Sequence, residues 1–106
     1  MSADEQRAFQ DAMLDLYRRA LKECRYNATV YLNMIQEHGG LEAAKLLLRP
    51  GQQAASGLTT LWELKRLDLS VEALVRDEPR WAALFTDAEH AEARQRLDDF
   101  EYPRPT

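Results

Sequence analysis

The chain reads as an all-α protein. Apolar residues recur at spacings of three and four along most of its length, the pattern of helices with one buried face. β-branched residues are few, and no stretch alternates apolar with polar residues as a strand would. Most breaks in the helical pattern carry start or stop signals: Ser, Thr or Asn before an apolar run, Gly or Pro after it. At 106 residues, 45% of them apolar and 30% charged, the chain suits one domain with one modest core. We expect a compact bundle of five to seven helices over residues 1–100, with 101–106 an extended or disordered tail.

The first helix is expected to start at Ser2 or Asp4, with acids in its first turn as the helix dipole favours. Phe9, Met13, Leu16, Tyr17, Ala20, Leu21 and Cys24 form its stripe over about five turns. Asn27 is the expected N-cap of a second helix, whose stripe is Val30, Tyr31, Met34, Ile35 and His38. Gly39-Gly40 ends it, and a third helix follows from Leu41 through Leu47-Leu48 to Pro50-Gly51. Gln52 to Ala55 is a loop or a frayed turn.

The stretch from Gly57 to Val75 has the densest large apolar content and organises the rest. Ser56 is expected to cap a helix whose face is Leu58, Leu61 and Trp62, widened by Leu64, and Trp62 is expected to be buried. Arg66-Leu67-Asp68-Leu69 breaks the period, and Ser70 starts another helix carrying Val71, Leu74 and Val75. Arg66 and Asp68 are read as a structural pair, bonding each other or Glu63. Pro79 opens a short turn that Trp81, Leu84 and Phe85 pack onto the core. Thr86-Asp87-Ala88-Glu89 is a capping box, and Ala93, Leu97 and Phe100 form the last helix's face.

The run Tyr26-Asn27-Ala28-Thr29, Met34-Ile35, Gly39-Gly40-Leu41-Glu42-Ala43-Ala44, Leu47-Leu48, Gly57-Leu58, Leu61-Trp62-Glu63 and Arg66-Leu67-Asp68-Leu69-Ser70-Val71-Glu72 resembles a group of uncharacterised bacterial helical proteins. The resemblance covers residues 24–100. It implies small stand-alone proteins or modules attached to other domains, and carries no activity, so no site residue transfers. That group has Gly before the Tyr26 position and often Pro at the Ala28 position. Arg25 and Ala28 stand there in this chain, which implies a looser turn.

The sequence argues against several functions. No apolar run is long enough to span a bilayer, and the acidic, polar N-terminus does not read as a signal peptide. The lone Cys24 rules out an internal disulfide and a cysteine-based zinc site. A cytoplasmic protein is expected. His38 and His90 lack metal-ligand spacing, so no metal and no cofactor is expected. Cys24 with His38 as nucleophile and base is set against a cysteine on the apolar stripe, which is commonly inert. Gly39-Gly40 presenting N–H groups to a phosphate is set against a plain helix cap.

Net charge is −4 but uneven. Residues 1–17 carry four acids and one base, residues 18–66 eight bases and four acids, and residues 67–106 ten acids and five bases. The basic middle is expected to be neutralised largely within the fold. A DNA-reading helix over Leu41 to Arg49 would offer only Glu42, Lys45 and Arg49.

The leading expectation is a non-catalytic protein-interaction module, with another protein or a second copy as partner. Its candidate surface is Phe9, Met13, Leu16 and Tyr17, the rival assignment being ordinary core. The alternative is a nucleic-acid-associated regulator using Arg18, Arg19, Lys22, Arg25, Lys45 and Arg49, and the third reading is a small enzyme.

Overall fold

The computed structural model describes residues 3–103; Ser2, one of the expected helix starts, and residues 104–106 of the expected tail lie outside them. The chain forms α1 (Ala3–Cys24), α2 (Thr29–His38), α3 (Gly40–Leu47), α4 (Gln53–Ser56), α5 (Leu58–Glu63), a 3-10 turn at Leu67–Leu69, α6 (Val71–Asp77), a 3-10 turn at Pro79–Leu84, and α7 (Asp87–Asp99). Among the described residues there is no strand, and the protein is a single all-α domain. The Cα radius of gyration is 12.6 Å, close to the ~13 Å expected of one compact unit this long.

α1 is the wall shared by two apolar clusters. Its N-terminal half sends Phe9 and Met13 into the larger one, with Tyr31, Ile35, Ala43, Ala44, Leu47, Leu48, Val71, Val75, Trp81, Leu84 and Phe85. Its C-terminal half sends Leu16 and Ala20 into the smaller, with Leu58, Leu61, Leu67, Leu69, Ala73 and Leu97. The chain returns on itself: Trp81 and Phe85 meet the Phe9 ring edge-on at 5.3 and 5.4 Å. Such edge contacts add about 0.5–1.5 kcal/mol to the burial itself.

The candidate partner surface on α1 is therefore corrected. Phe9 and Met13 are 0% exposed, Leu16 is buried, and Tyr17 is half-buried with its hydroxyl donating to Asn27 Oδ1 at 2.6 Å. Elements far along the chain cover the stripe, and their arrival is not visible in the local pattern.

Glycine is required where helices meet. Gly40 starts α3 against α1, where an added Cβ would stand 2.6 Å from the Gln10 Cα. Gly57 has φ 75° and joins α4 to α5, with the Tyr26 hydroxyl 2.5 Å from where a Cβ would sit. Gly57 thus occupies the N-cap position expected for Ser56, which instead ends α4 and turns inward. Asn27 does not cap α2 either. Ala28 holds that position, and Asn27 accepts the Tyr17 bond. Ser70 and the Thr86–Glu89 capping box form as read from the sequence. Arg25 takes the left-handed φ of 55°, and Tyr26 N–H donates to the Ala20 carbonyl, so the turn after α1 is closed rather than loose.

A buried polar knot ties the second half together. Arg96 is 2% exposed and Glu72 is 0% exposed. Arg96 Nη1 donates to Glu72 Oε2 and to the Leu47 carbonyl, both at 2.8 Å. Its Nη2 donates to the Arg49 carbonyl and its Nε to Glu92 Oε2. The Ser56 hydroxyl lies 2.9 Å from Glu72 Oε2 and 2.8 Å from the Gln53 carbonyl. One guanidinium thus closes the end of α3, whose last carbonyls lack helical partners, and holds α6 on α7.

Removing only one partner of a buried pair leaves the other charged and unpaired, which costs about 3–5 kcal/mol. Arg96→Met should lower unfolding free energy by that amount in a urea melt, and adding Glu72→Met should restore most of it. A single variant within ~1 kcal/mol of the parent would contradict this role.

Candidate partner-binding surface

The surface that stands out is aromatic and lies where α5 and α7 end. Trp62 is 48% exposed, against the expected burial, and Leu64, expected to widen the buried face, is 40% exposed. α5 is six residues long, and Leu58 and Leu61 use up its inward face, so Trp62 falls at the edge. Its ring rests on Phe100, centroids 5.2 Å apart at 37°.

Both helices end in the same way just past these rings. Lys65 (φ 60°) and Glu101 (φ 55°) are left-handed, and the next residues, Arg66 and Tyr102, donate back to the Leu61 and Leu97 carbonyls. The two matching stops place both aromatic side chains in last turns. Beyond them the chain stays docked. The Tyr102 carbonyl accepts from Arg76 Nη1 at 2.7 Å and the Pro103 carbonyl from Arg76 Nη2 at 3.1 Å.

The basic residues of the alternative reading divide. Arg19 Nε bonds Glu23 at 3.0 Å, and Arg66 bonds Glu23 at 2.8 Å and Asp68 at 3.0 and 3.1 Å. Arg66 therefore pairs with Asp68 as expected, and with Glu23 rather than Glu63. Hydrogen bonds from Arg19 and then Arg66 hold the Glu23 carboxyl below its ordinary value. Lys45 bonds Glu89 at 2.7 Å and stands over the Phe85 ring. Arg18, Lys22, Arg25 and Arg49 are exposed and make no ion pair among the described residues.

Other candidates come apart in the fold. Ala43, Ala44, Leu47 and Leu48 are buried and α3 packs on α1 and α2, so it is no free DNA-reading helix. Gly39 N–H donates to the Ile35 carbonyl and Gly40 N–H to Gln10 Oε1, so neither is open to a phosphate. These glycines line an open hollow of about 480 Å³ with Arg7, His38 and Lys45. Cys24 sits on the smaller cluster, about 21 Å along α1 from the Gln10 that touches Gly40, which separates it from His38. The His90 ring bonds the Ala82 carbonyl at 2.8 Å. Among the described residues no three His, Cys, Asp or Glu side chains are grouped to hold a metal ion, and no helix is long and apolar enough to cross a membrane.

Sequence reasoning missed the exposure of Trp62 and the burial of Glu72 and Arg96. Arg96 had a readable signal, since it shares a helical face with Ala93, Leu97 and Phe100. No protein-family model, curated protein or solved structure matches this chain.

The Lys45–Glu89 contact sets a pH dependence. Partial burial raises the Glu89 carboxyl, but the bonds from Lys45 and the Thr86 backbone outweigh it and hold it below the ordinary 4.5. A depressed folded-state value contributes stability that is present above pH 4.5 and lost as pH falls through the folded-state value. Glu89→Gln should therefore lose stability at neutral pH and show a shallower acid limb in pH-dependent melts. Parallel acid limbs would contradict the assignment.

Proposed function

We propose that the protein is a non-catalytic interaction module that docks a partner protein through the Trp62–Phe100 face. The half-exposed indole carries this reading. Tryptophan is enriched among the few residues that dominate protein–protein interfaces, because it offers a large rigid apolar surface with one polar handle. The interior supports the same view. Glu72, Arg96 and Ser56 are buried and serve each other, and a group without access to solvent does not meet a substrate. A cytoplasmic setting and kinship with the helical group carrying the Leu61-Trp62-Glu63 pattern belong to this proposal.

The nucleic-acid alternative keeps one supporting observation, the exposed Arg18, Lys22, Arg25 and Arg49, which make no ion pair among the described residues. It loses Arg19 and Lys45 to carboxylates of the same chain.

Trp62→Ala should change unfolding free energy by about 1 kcal/mol or less. It should weaken partner capture from the native host by about 2 kcal/mol, roughly thirtyfold in Kd. Undiminished capture by a folded Trp62→Ala variant would contradict the docking face.

A further inference from the structure

The face that α1 turns outward is as ordered as the one it buries. Arg18, Leu21 and Lys22 follow at i, i+3 and i+4 on α1, opposite Phe9, Met13, Leu16 and Ala20, and Arg25 stands in the turn directly after the helix. All four are exposed, and Leu21 is 42% exposed between the three bases. None of those bases has an acid partner among the described residues, although Arg19 and Arg66 beside them do. The stripe is therefore free of ion pairs with the described part of its own chain, and the exposed Asp11 and Asp15 precede it on the same face of α1.

The aromatic face has the opposite character. Trp62 and Phe100 lie among Glu63, Asp98, Asp99 and Glu101 on the same two helix ends, where Lys65 is an exposed base, so the acids prevail. All four acids are exposed and free of ion pairs among the described residues, Asp99 accepting only from Gln95. We infer that the Trp62–Phe100 face of one copy docks on the Arg18–Leu21–Lys22–Arg25 stripe of a second copy of this chain. This rests on the docking reading above and names its partner. Three bases meet four acids, Leu21 supplies an apolar centre for the indole, and a cation can lie over an aromatic ring. The chain already uses that last contact internally, with the Arg80 guanidinium 4.3 Å from the Trp81 ring centroid and the Lys45 ammonium 5.0 Å from that of Phe85.

The two faces are different surfaces, so the contact is heterologous and each copy offers one of each. Assembly then proceeds head to tail and grows with concentration. Both faces are small, and a weak, reversible contact follows. Its strength depends on salt, because the Debye length is about 30 Å at 0.01 M and about 3 Å at 1 M.

Sedimentation of the full chain tests this. The parent should gain weight-average mass with concentration at low salt and return toward the monomer near 1 M salt. Trp62→Ala alone, and Arg18→Glu with Lys22→Glu, should each stay monomeric with a melting temperature close to the parent's. An equimolar mixture of the two variants should form a one-to-one complex, because each keeps the face the other has lost. A parent that stays monomeric, a mixture that stays monomeric, or variants that associate like the parent would each overturn the inference. If the parent is monomeric but still captures a partner through Trp62, the self-contact fails and the docking face stands. If the parent is monomeric and charge reversal abolishes salt-sensitive DNA binding, the stripe serves nucleic acid and the inference falls.

Discussion

Arg96 crosses from α7 into the protein interior and meets four acceptors there: Glu72 Oε2, Glu92 Oε2 and the carbonyls of Leu47 and Arg49. Taking a guanidinium and a carboxylate out of water carries a penalty of several kcal/mol per ion, which their attraction offsets only when the remaining hydrogen bonds are also made. Here the Arg96 nitrogens are nearly saturated, while Glu72 Oε1 is buried without a hydrogen-bond partner among the described residues. The negative end of the pair is thus held by fewer contacts than the positive end. Tyr31 feels that carboxylate too. Burial first, and the Glu72 charge second, push its phenol well above the ordinary value, so it stays a neutral donor to the Met13 carbonyl.

This knot reaches the surface by short connections. Ser56 touches Glu72, Gly57 turns the chain, and α5 begins at Leu58, which fixes where Trp62 emerges. Phe100 follows Arg96 by one helical turn on α7. The same buried side chains that hold α6 on α7 therefore set the spacing of the exposed Trp62 ring and the partly buried Phe100 ring. For the docking proposed above, a pre-placed aromatic pair would lose little conformational freedom.

The fold class, the helix order, the Ser70 cap and the Thr86–Glu89 box were legible because each rests on nearby residues. Burial was less so. Trp81 and Phe85 cover Phe9 from more than seventy residues away, and no local pattern announces that contact. The apolar periods marked Val30, Leu21 and Trp62 as inward, yet all three are exposed, since a stripe's edge is set by how many neighbours arrive. Ser56 and Asn27 have the type and the place of caps, whereas a glycine and an alanine hold those positions and both polar side chains bond residues on other helices.

The central claim is that Arg96 is locked inside the protein and orders the elements around it. Hydrogen exchange of the Arg96 guanidinium protons, followed by NMR, tests it most directly. The account predicts resolved Nε–H and Nη–H signals that exchange only as fast as the protein unfolds globally. Guanidinium protons that exchange with solvent at the rate of an exposed arginine would contradict it.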